Sequence, residues 1–593
     1  MTADIFGKLD EVATRERVWP WRSLALALIV LATAGRIIYL ALACPLDLSP
    51  DEAHYWDWSR HLDWCYYSKG PVVAVLIRLS CLFLGNDMLA VRLPAVLCGG
   101  LLLLSLHVLT LQVFGREKLA VAVVAIAMTF PLLNAGALLM TIDAPYACCW
   151  GWALVLAQAA IFGRRWWAWP LLGAVVGVGI LAKYTMVLWF PCLGMFLLTC
   201  TDKRCLLIRP GFWAMTAIAG LCCLPILLWN QAHGWVGYQH TLGHAGVGGR
   251  IHWLGPLLFI GGQFALLLGY WFTAWLEVIL GHAPWRVRRP EIAFLWWMSV
   301  PVFGVFLLFS LKNGGGELNW PATAYLSGLV LAAGLRVDHS DRRARVASRG
   351  RAHPRLVLIS RQQDWDRGAS KGARAVLAPM LKKDECSAQD VSASEAVCLP
   401  GPKRGRLVAI AAACSLGLLI TALVHRSEWA RPMLLRIAGP ASSERPTPLR
   451  RWDPTCRLRG WRCLAAAVDE VRRQLHAQGI EPVLAAGRWN LPGELAFYCR
   501  GQPAVFCLGP AMGDRHSQHD FWRPNPLADA ACFSGKTFIL VDCPEEASRA
   551  MFDDIEPPLG VVHRERGEPI AQWTITVAHR YRGPASPTFQ ASY

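Results

Sequence analysis

Leu48-Ser-Pro-Asp-Glu-Ala-His-Tyr-Trp-Asp-Trp58 sets two adjacent carboxylates, Asp51 and Glu52, just beyond the first long apolar block of the chain. Charge at that position is costly beside a bilayer unless it is paired or does chemistry. The block before it, about residues 23–43, is long enough to cross a bilayer core of roughly 30 Å as a helix. It follows a basic leader (Arg15, Arg17, Arg22) and shows no small-residue cleavage site, so it reads as a retained signal-anchor helix. Each later apolar block then has a side of the membrane, and the question becomes which polar residues share the side of Asp51.

The chain has 593 residues, 54% of them hydrophobic, and a mean hydropathy of +0.33. That is too apolar for a soluble protein of this length, and the apolar residues come in long runs. Eleven spans are predicted, at about 23–43, 88–112, 118–136, 144–162, 167–182, 184–200, 211–229, 256–280, 293–311, 320–336 and 407–425. Many of the 28 tryptophans sit at block ends, where interfacial belts favour them. The net charge of +17 fits positive inside loops and one basic segment, and no nucleic-acid partner is expected. Arg116 and Lys118, Arg164 and Arg165, Lys203 and Arg204, and Arg286 to Arg289 all fall inside in one topology.

That topology gathers the polar constellations outside. They are Asp51 and Glu52 through Lys69, then Asp143, then Lys183 and Tyr184, then Asn230 through His252, then Lys312 through Asn319. Any one charge at a helix end can simply snorkel to the headgroups. Five groups on one face, from loops spread along the chain, point instead to a site. Residues 1–336 form the main membrane domain, 337–406 a basic cytosolic segment expected to be disordered, 407–425 the last span, and 426–593 an outside α/β domain. In that tail, Arg462–Gly479 and Leu491–Cys499 read as helices, Pro482–Ala486, Ala504–Leu508 and Lys536–Val541 as strands, and Pro544–Ile555 as a helix before two extended runs. Six tail cysteines permit disulfides or buried thiols.

The residue types outside suit group transfer. A carboxylate such as Asp51 can act as general base on a hydroxyl while its neighbour Glu52 positions it or pairs with a cation. Lys69, Lys183 and Lys312 can hold a phosphate as point charges, and a leaving phosphate needs positive charge more than a general acid. Tyr55, Asp143, Tyr184, Asn230, His233 and Asn319 are candidate substrate contacts. The rings of the first loop (Tyr55, Trp56, Trp58, Trp64, Tyr66, Tyr67) can stack on sugars, but most read better as membrane-surface anchors. His233, His240, His244 and His252 match no strong metal spacing. No metal or other cofactor is expected; a divalent ion is compatible with the chemistry but nothing in the sequence supports one. Two other readings fit the same residues: a transporter of lipid-linked sugars, and a non-catalytic scaffold whose tail binds envelope glycan.

The motifs Ser-Pro-Asp-Glu-Ala-His-Tyr-Trp (49–56), Tyr-Ser-Lys-Gly-Pro (67–71), Val-Arg-Leu-Pro (91–94) and Thr-Ile-Asp-Ala-Pro (141–145) run in order along the chain. They continue with Ala-Lys-Tyr-Thr (182–185), Trp-Asn-Gln-Ala-His-Gly-Trp (229–235) and Asn-Trp-Pro-Ala (319–322). With Glu494-Leu-Ala-Phe-Tyr and Ser517-Gln-His-Asp-Phe-Trp in the tail, the chain resembles the bacterial branch of glycosyltransferase family 39. That branch includes relatives of the protein O-mannosyltransferases and of the aminoarabinose transferase of lipid A. The resemblance implies a GT-C fold and a donor of the undecaprenyl-phosphate sugar type. It implies Asp51 as base on the acceptor and Lys69 on the lipid phosphate. One departure is that Lys69 follows Ser68, where the aminoarabinose enzymes carry an acidic residue. The expected acceptor is an envelope lipid, glycan or protein. The expected place is the bacterial inner membrane, with the site and the tail domain outside.

Overall fold

Apolar runs of the length found here bury their backbone polar groups as helices, and the computed structural model is built mostly of them. It describes residues 20–244, 250–335 and 404–584. The helices are α1 (Trp21–Leu42), α2 (Pro50–Arg60), α3 (Val72–Leu84), α4 (Met88–Phe114), α5 (Glu117–Ala127), α6 (Asp143–Ile161) and α7 (Ala168–Ala182). They continue as α8 (Trp189–Thr199), α9 (Pro210–Ala232), α10 (Gly255–Leu266), α11 (Tyr270–Gly281), α12 (Pro290–Trp297), α13 (Val300–Asn313), α14 (Ala324–Leu335) and α15 (Arg404–His425).

Among the described residues, six stretches are long and apolar enough to cross a membrane: α1, α4, α6, α9, α12 with α13, and Gly405–His425 of α15. The predicted span 256–280 is instead two helices, α10 and α11, bent by 113°. Leu268 and Gly269 at the break have φ of 58° and 64°, a left-handed conformation that no helix continues through. The predicted span 118–136 also breaks. α5 stops at Ala127, and Pro131 opens a separate short helix, Pro131–Gly136. α3, α7, Tyr184–Thr199 and α14 are shorter apolar helices of 10–17 residues. Most of the segment 337–406 expected to be disordered lies outside the described residues.

The tail carries α16 (Arg431–Ala438), α17 (Trp461–Ala477), α18 (Pro492–Tyr498) and α19 (Glu545–Met551). Its strands are β1 (Val483–Ala486), β2 (Val505–Cys507), β3 (Phe538–Val541), β4 (Phe552–Ile555), β5 (Leu559–Glu565) and β6 (Glu568–Tyr581). β1 lies between β2 and β3 and runs parallel to both; β6 is antiparallel to β3, β4 and β5. The helix expected over 544–555 stops at Met551, and Phe552–Ile555 pairs with β6 as a strand. Phe552 is buried there against Phe538 and Tyr581, and that packing overrides helical continuation. The six tail cysteines are free thiols.

The first outer loop and the tail share one apolar core. Trp56, Trp58, Tyr66, Val73, Ile77 and Ala90 pack in a single cluster with Trp461, Leu464, Leu495, Ile539 and Trp573. The rings expected on the membrane surface are therefore buried: Tyr55, Trp56, Trp58, Tyr66 and Tyr67 are at most 6% exposed, and Trp64 alone of that set is open, at 71%. Trp58 stacks on Tyr66 with centroids 4.3 Å apart, and Trp56 meets Phe497 edge-on at 4.9 Å. The sequence cannot show the tail arriving to cover them, which is why a surface reading looked natural.

Polar contacts seal the same seam. Leu48 N–H donates to Tyr498 Oη at 2.7 Å, Tyr67 N–H to Gln518 Oε1 at 2.7 Å, and Trp461 N–H to Asp47 Oδ2 at 3.0 Å. Gly493 is the closest approach. A Cβ on it would lie 2.7–2.8 Å from backbone atoms of Ala53 and His54 in α2. Gly493→Val should therefore lift α18 off α2, costing about 1–3 kcal/mol by overpacking. Limited proteolysis of the reconstituted protein would show faster release of the tail in that variant and no change for Gly560→Ser, which has open space around it and no positive φ.

Candidate active site

The site starts from a helix cap. Ser49 caps α2 with Pro50 in its first turn, and Glu52 returns the bond: Ser49 Oγ accepts from Glu52 N–H at 3.3 Å, and Glu52 Oε2 from Ser49 N–H at 2.9 Å. This box turns Glu52 inward, where it is fully buried. Arg92, inside α4, grips it as a fork, with Nε and Nη2 each 2.9 Å from a carboxylate oxygen. Met140 N–H adds a bond to Glu52 Oε1 at 2.8 Å. Arg92 spends its remaining donors on the carbonyls of Leu46 and Asp47. Glu52, expected beside Asp51 as a catalytic group, is thus saturated by donors and sealed from substrate. It fastens α2, α4 and the strand of chain before α6. Arg92 is the partner that sequence reading missed, although an arginine inside an apolar block signals one.

Asp51, next in the first turn, is left free to face outward. It is exposed to solvent yet deep among protein atoms, so it lines a concavity rather than a convex surface. Burial raises its pKa, and Lys69 and then Arg515 hold it down. Asp143 opens α6 three residues after Met140. Its Oδ1 accepts from Lys183 Nζ at 2.6 Å and its Oδ2 from Asn319 Nδ2 at 2.8 Å. Three loops that the topology assigned to one face therefore meet in one side-chain cluster.

Lys69 joins them because Gly70 presses on the carbonyl of Leu181, near the end of α7, leaving no room for a Cβ. Lys183 follows two residues later. Burial, then Lys183, lower the Lys69 pKa to about 8, while Asp51 and Asp143 support its charge. Tyr55, one turn past Asp51, is buried, and burial with Asp51 and Asp143 raises its phenol well above the usual range.

Other predicted contacts hold the loop instead. Tyr184 Oη lies 3.3 Å from Cys65 Sγ, and Asn230 Nδ2 lies 3.9 Å from it. Cys65 in turn reaches the Lys69 carbonyl at 3.5 Å. Asn230 is 1% exposed and also bonds Ile226 O and Gly237 N–H, so it is a loop fastener. His233 stacks on Trp229 at 3.9 Å and meets Phe521 of the tail. His240 packs on Tyr67. Lys312 is half-buried in the last turn of α13. Among the described residues, no group of three or more His, Cys, Asp or Glu converges as metal ligands would.

The tail supplies what the loops lack. Arg515 lies over the ring of Trp489, 4.0 Å from its centre, and its charge is felt at Asp51, Tyr55 and Lys69. Neither residue stood out in the sequence.

Residues 68–229 match the family model described as dolichyl-phosphate-mannose-protein mannosyltransferase. The solved structure of ArnT from Cupriavidus metallidurans in the apo state is similar over 94% of this chain and 97% of that one, with TM-score 0.52 and 15% identity. The same enzyme bound to undecaprenyl phosphate is similar over 94% and 98%, with TM-score 0.51 and 17% identity. The lipid A galacturonosyltransferase RgtD of Rhizobium johnstonii is 30% identical over 325 residues, 52% of this chain. The matched stretch spans 64% of that relative's length. The chain shares the fold of ArnT.

Removing one partner of a buried ion pair leaves the other charge stranded, at a cost of about 3–5 kcal/mol. Arg92→Met should therefore lower the melting temperature of the reconstituted protein sharply. Asp51→Asn, at an exposed position, should leave it near the wild-type value. Equal melting of all three proteins would remove the structural role assigned here to Glu52 and Arg92.

Proposed function

We propose that the protein transfers a sugar from a polyprenyl-phosphate carrier to a hydroxyl of an envelope acceptor, on the outer face of the inner membrane. The observation that carries this reading is an open carboxylate, Asp51, within electrostatic reach of Lys69, a half-buried cation ahead of α3, with the buried Lys183 beside it at the end of α7. Asp51 takes the proton of the acceptor hydroxyl as its oxygen attacks the anomeric carbon. The bond from that carbon to the phosphate oxygen breaks, and its electron pair leaves on the phosphate. Lys69, with Lys183 behind it, stabilises the charge that develops there. A single displacement inverts the anomeric centre. Asn319 and Lys183 hold Asp143 in place, and Asp143 sets the position of Lys183. The acceptor is an envelope molecule, and the likeness to a lipid A galacturonosyltransferase favours a glycolipid. The ArnT complex with undecaprenyl phosphate supports the carrier class.

Asp51→Asn should bind donor and fail to release sugar from it, with a loss of at least about a hundredfold, the size expected for removing a general base. Release of labelled sugar from its carrier by protein in nanodiscs measures this. Full activity in the variant would overturn the mechanism, and a donor moved across the bilayer intact would turn the reading to transport.

The pH profile should have two limbs. Protonation of Asp51 removes the base, so the rate falls on the acid side, at a pH above the ordinary carboxylate range because burial raises that pKa. Lys69 loses its charge as pH rises through about 8, so the rate falls again there. Lys69→Arg keeps its charge throughout and should abolish the alkaline limb in whatever rate it retains.

A further inference from the structure

Arg515 is a cation that the transfer chemistry above does not use. It comes from the soluble tail, and its charge is felt at Asp51 and at Lys69. Other arginines of the tail are taken up by carboxylates: Arg459 by Glu428 and Glu565, Arg431 by Glu565, Arg472 by Asp469. Arg515 is exposed and, among the described residues, has no carboxylate within ion-pair distance. What holds it is a ring. Its guanidinium lies 4.0 Å over the centre of Trp489.

That ring is itself fixed. Trp489 N–H donates to Asp514 Oδ2 at 2.9 Å, and His54 of α2 meets the ring edge-on at 5.5 Å. His54 belongs to the stretch of α2 against which Gly493 packs. The stack is thus tied, through His54, to the helix that carries Asp51. A guanidinium stacked on an aromatic face has little rotamer freedom left to lose, and its planar fork matches the oxygens of a carboxylate or phosphate. A single phosphate bridging sugar and lipid is matched by Lys69 and Lys183 on the membrane side. Arg515 is a further charge at the same site, carried by the tail and not by the loops that bring Lys69 and Lys183.

We propose that Arg515, supported by Trp489, is a subsite for a second anionic oxygen group on the substrates, separate from the donor phosphate: a carboxylate on the transferred sugar or a phosphate on the acceptor glycolipid. The inference rests on the transferase reading above and adds the charge class of what is selected.

The test uses the full chain in nanodiscs and two matched pairs of probes. The donor pair is undecaprenyl-phosphate galacturonic acid and undecaprenyl-phosphate galactose, which differ in the C6 carboxylate. The acceptor pair is a lipid A-type disaccharide with and without its phosphates. Equilibrium binding is read for each, and release of labelled sugar alongside it. The wild type should favour the charged member of one pair by roughly 10–100-fold, the range for a hydrogen bond to a charged group. R515Q should bring that ratio close to one, and R515K and W489L should leave intermediate ratios. The pair that responds identifies whether the anion is on the sugar or on the acceptor. A wild-type ratio near one for both pairs, or a ratio that survives R515Q, overturns the proposal. Arg515-dependent preference in binding without any release of sugar would uphold the subsite and remove the transferase reading instead.

Discussion

The Glu52–Arg92 pair is the constraint on which the outer face depends. A carboxylate and a guanidinium, both essentially out of water, hold each other through a two-pronged contact and take their remaining bonds from backbone. The cost of desolvating two charges is met only when every donor and acceptor is used, and here nearly all are. The result is positional. The N-terminus of α2, the outer part of α4 and the chain leading into α6 are fixed to one another. Asp51 and Asp143 inherit their places from that junction, one as the neighbour of Glu52 and the other three residues past Met140.

The soluble tail is part of the same site rather than an appendage. Its helices and sheet complete the apolar core under α2 and α3, and α18 comes so close that Gly493 has no side chain to spare. Glu494, next to it, is buried with both carboxylate oxygens lacking a hydrogen-bond partner among the described residues, and burial, then Asp47 and Glu52, raise its pKa well above the usual range. A neutral carboxyl is the form that such a seam tolerates, because an ionised one would add a charge beside Glu52, already held by Arg92, and Asp47, already held by Arg462.

Charge is distributed in the site by degree of commitment. Lys183 is bound to Asp143 at 2.6 Å, Lys69 is held between like and opposite charges, and Arg515 rests on a ring. The first orders the loops, and on the proposed reading the second meets the donor phosphate and the third a further anion. Such grading lets one pocket bind a charged substrate without first breaking its own structure.

Membrane class, the gathering of Asp51, Lys69, Asp143, Lys183 and Asn319, and the α/β character of the tail were legible in the sequence. Each rests on a local or additive property: run length, the sign of loop charges, periodicity. Span integrity was not legible at 256–280, where two residues in left-handed conformation bend the chain. Nor was the burial of Trp56, Trp58 and Tyr66, since the residues that cover them arrive some 400 positions later. The division of labour between Asp51 and Glu52 was hidden for the same reason. Adjacent in sequence and alike in chemistry, they are told apart by Arg92 forty positions on, which closes over one and leaves the other open to substrate. The sequence determined which chemical groups could reach this face; only tertiary packing decided which are buried as struts and which remain free to react, because burial depends on what distant chain lies on top.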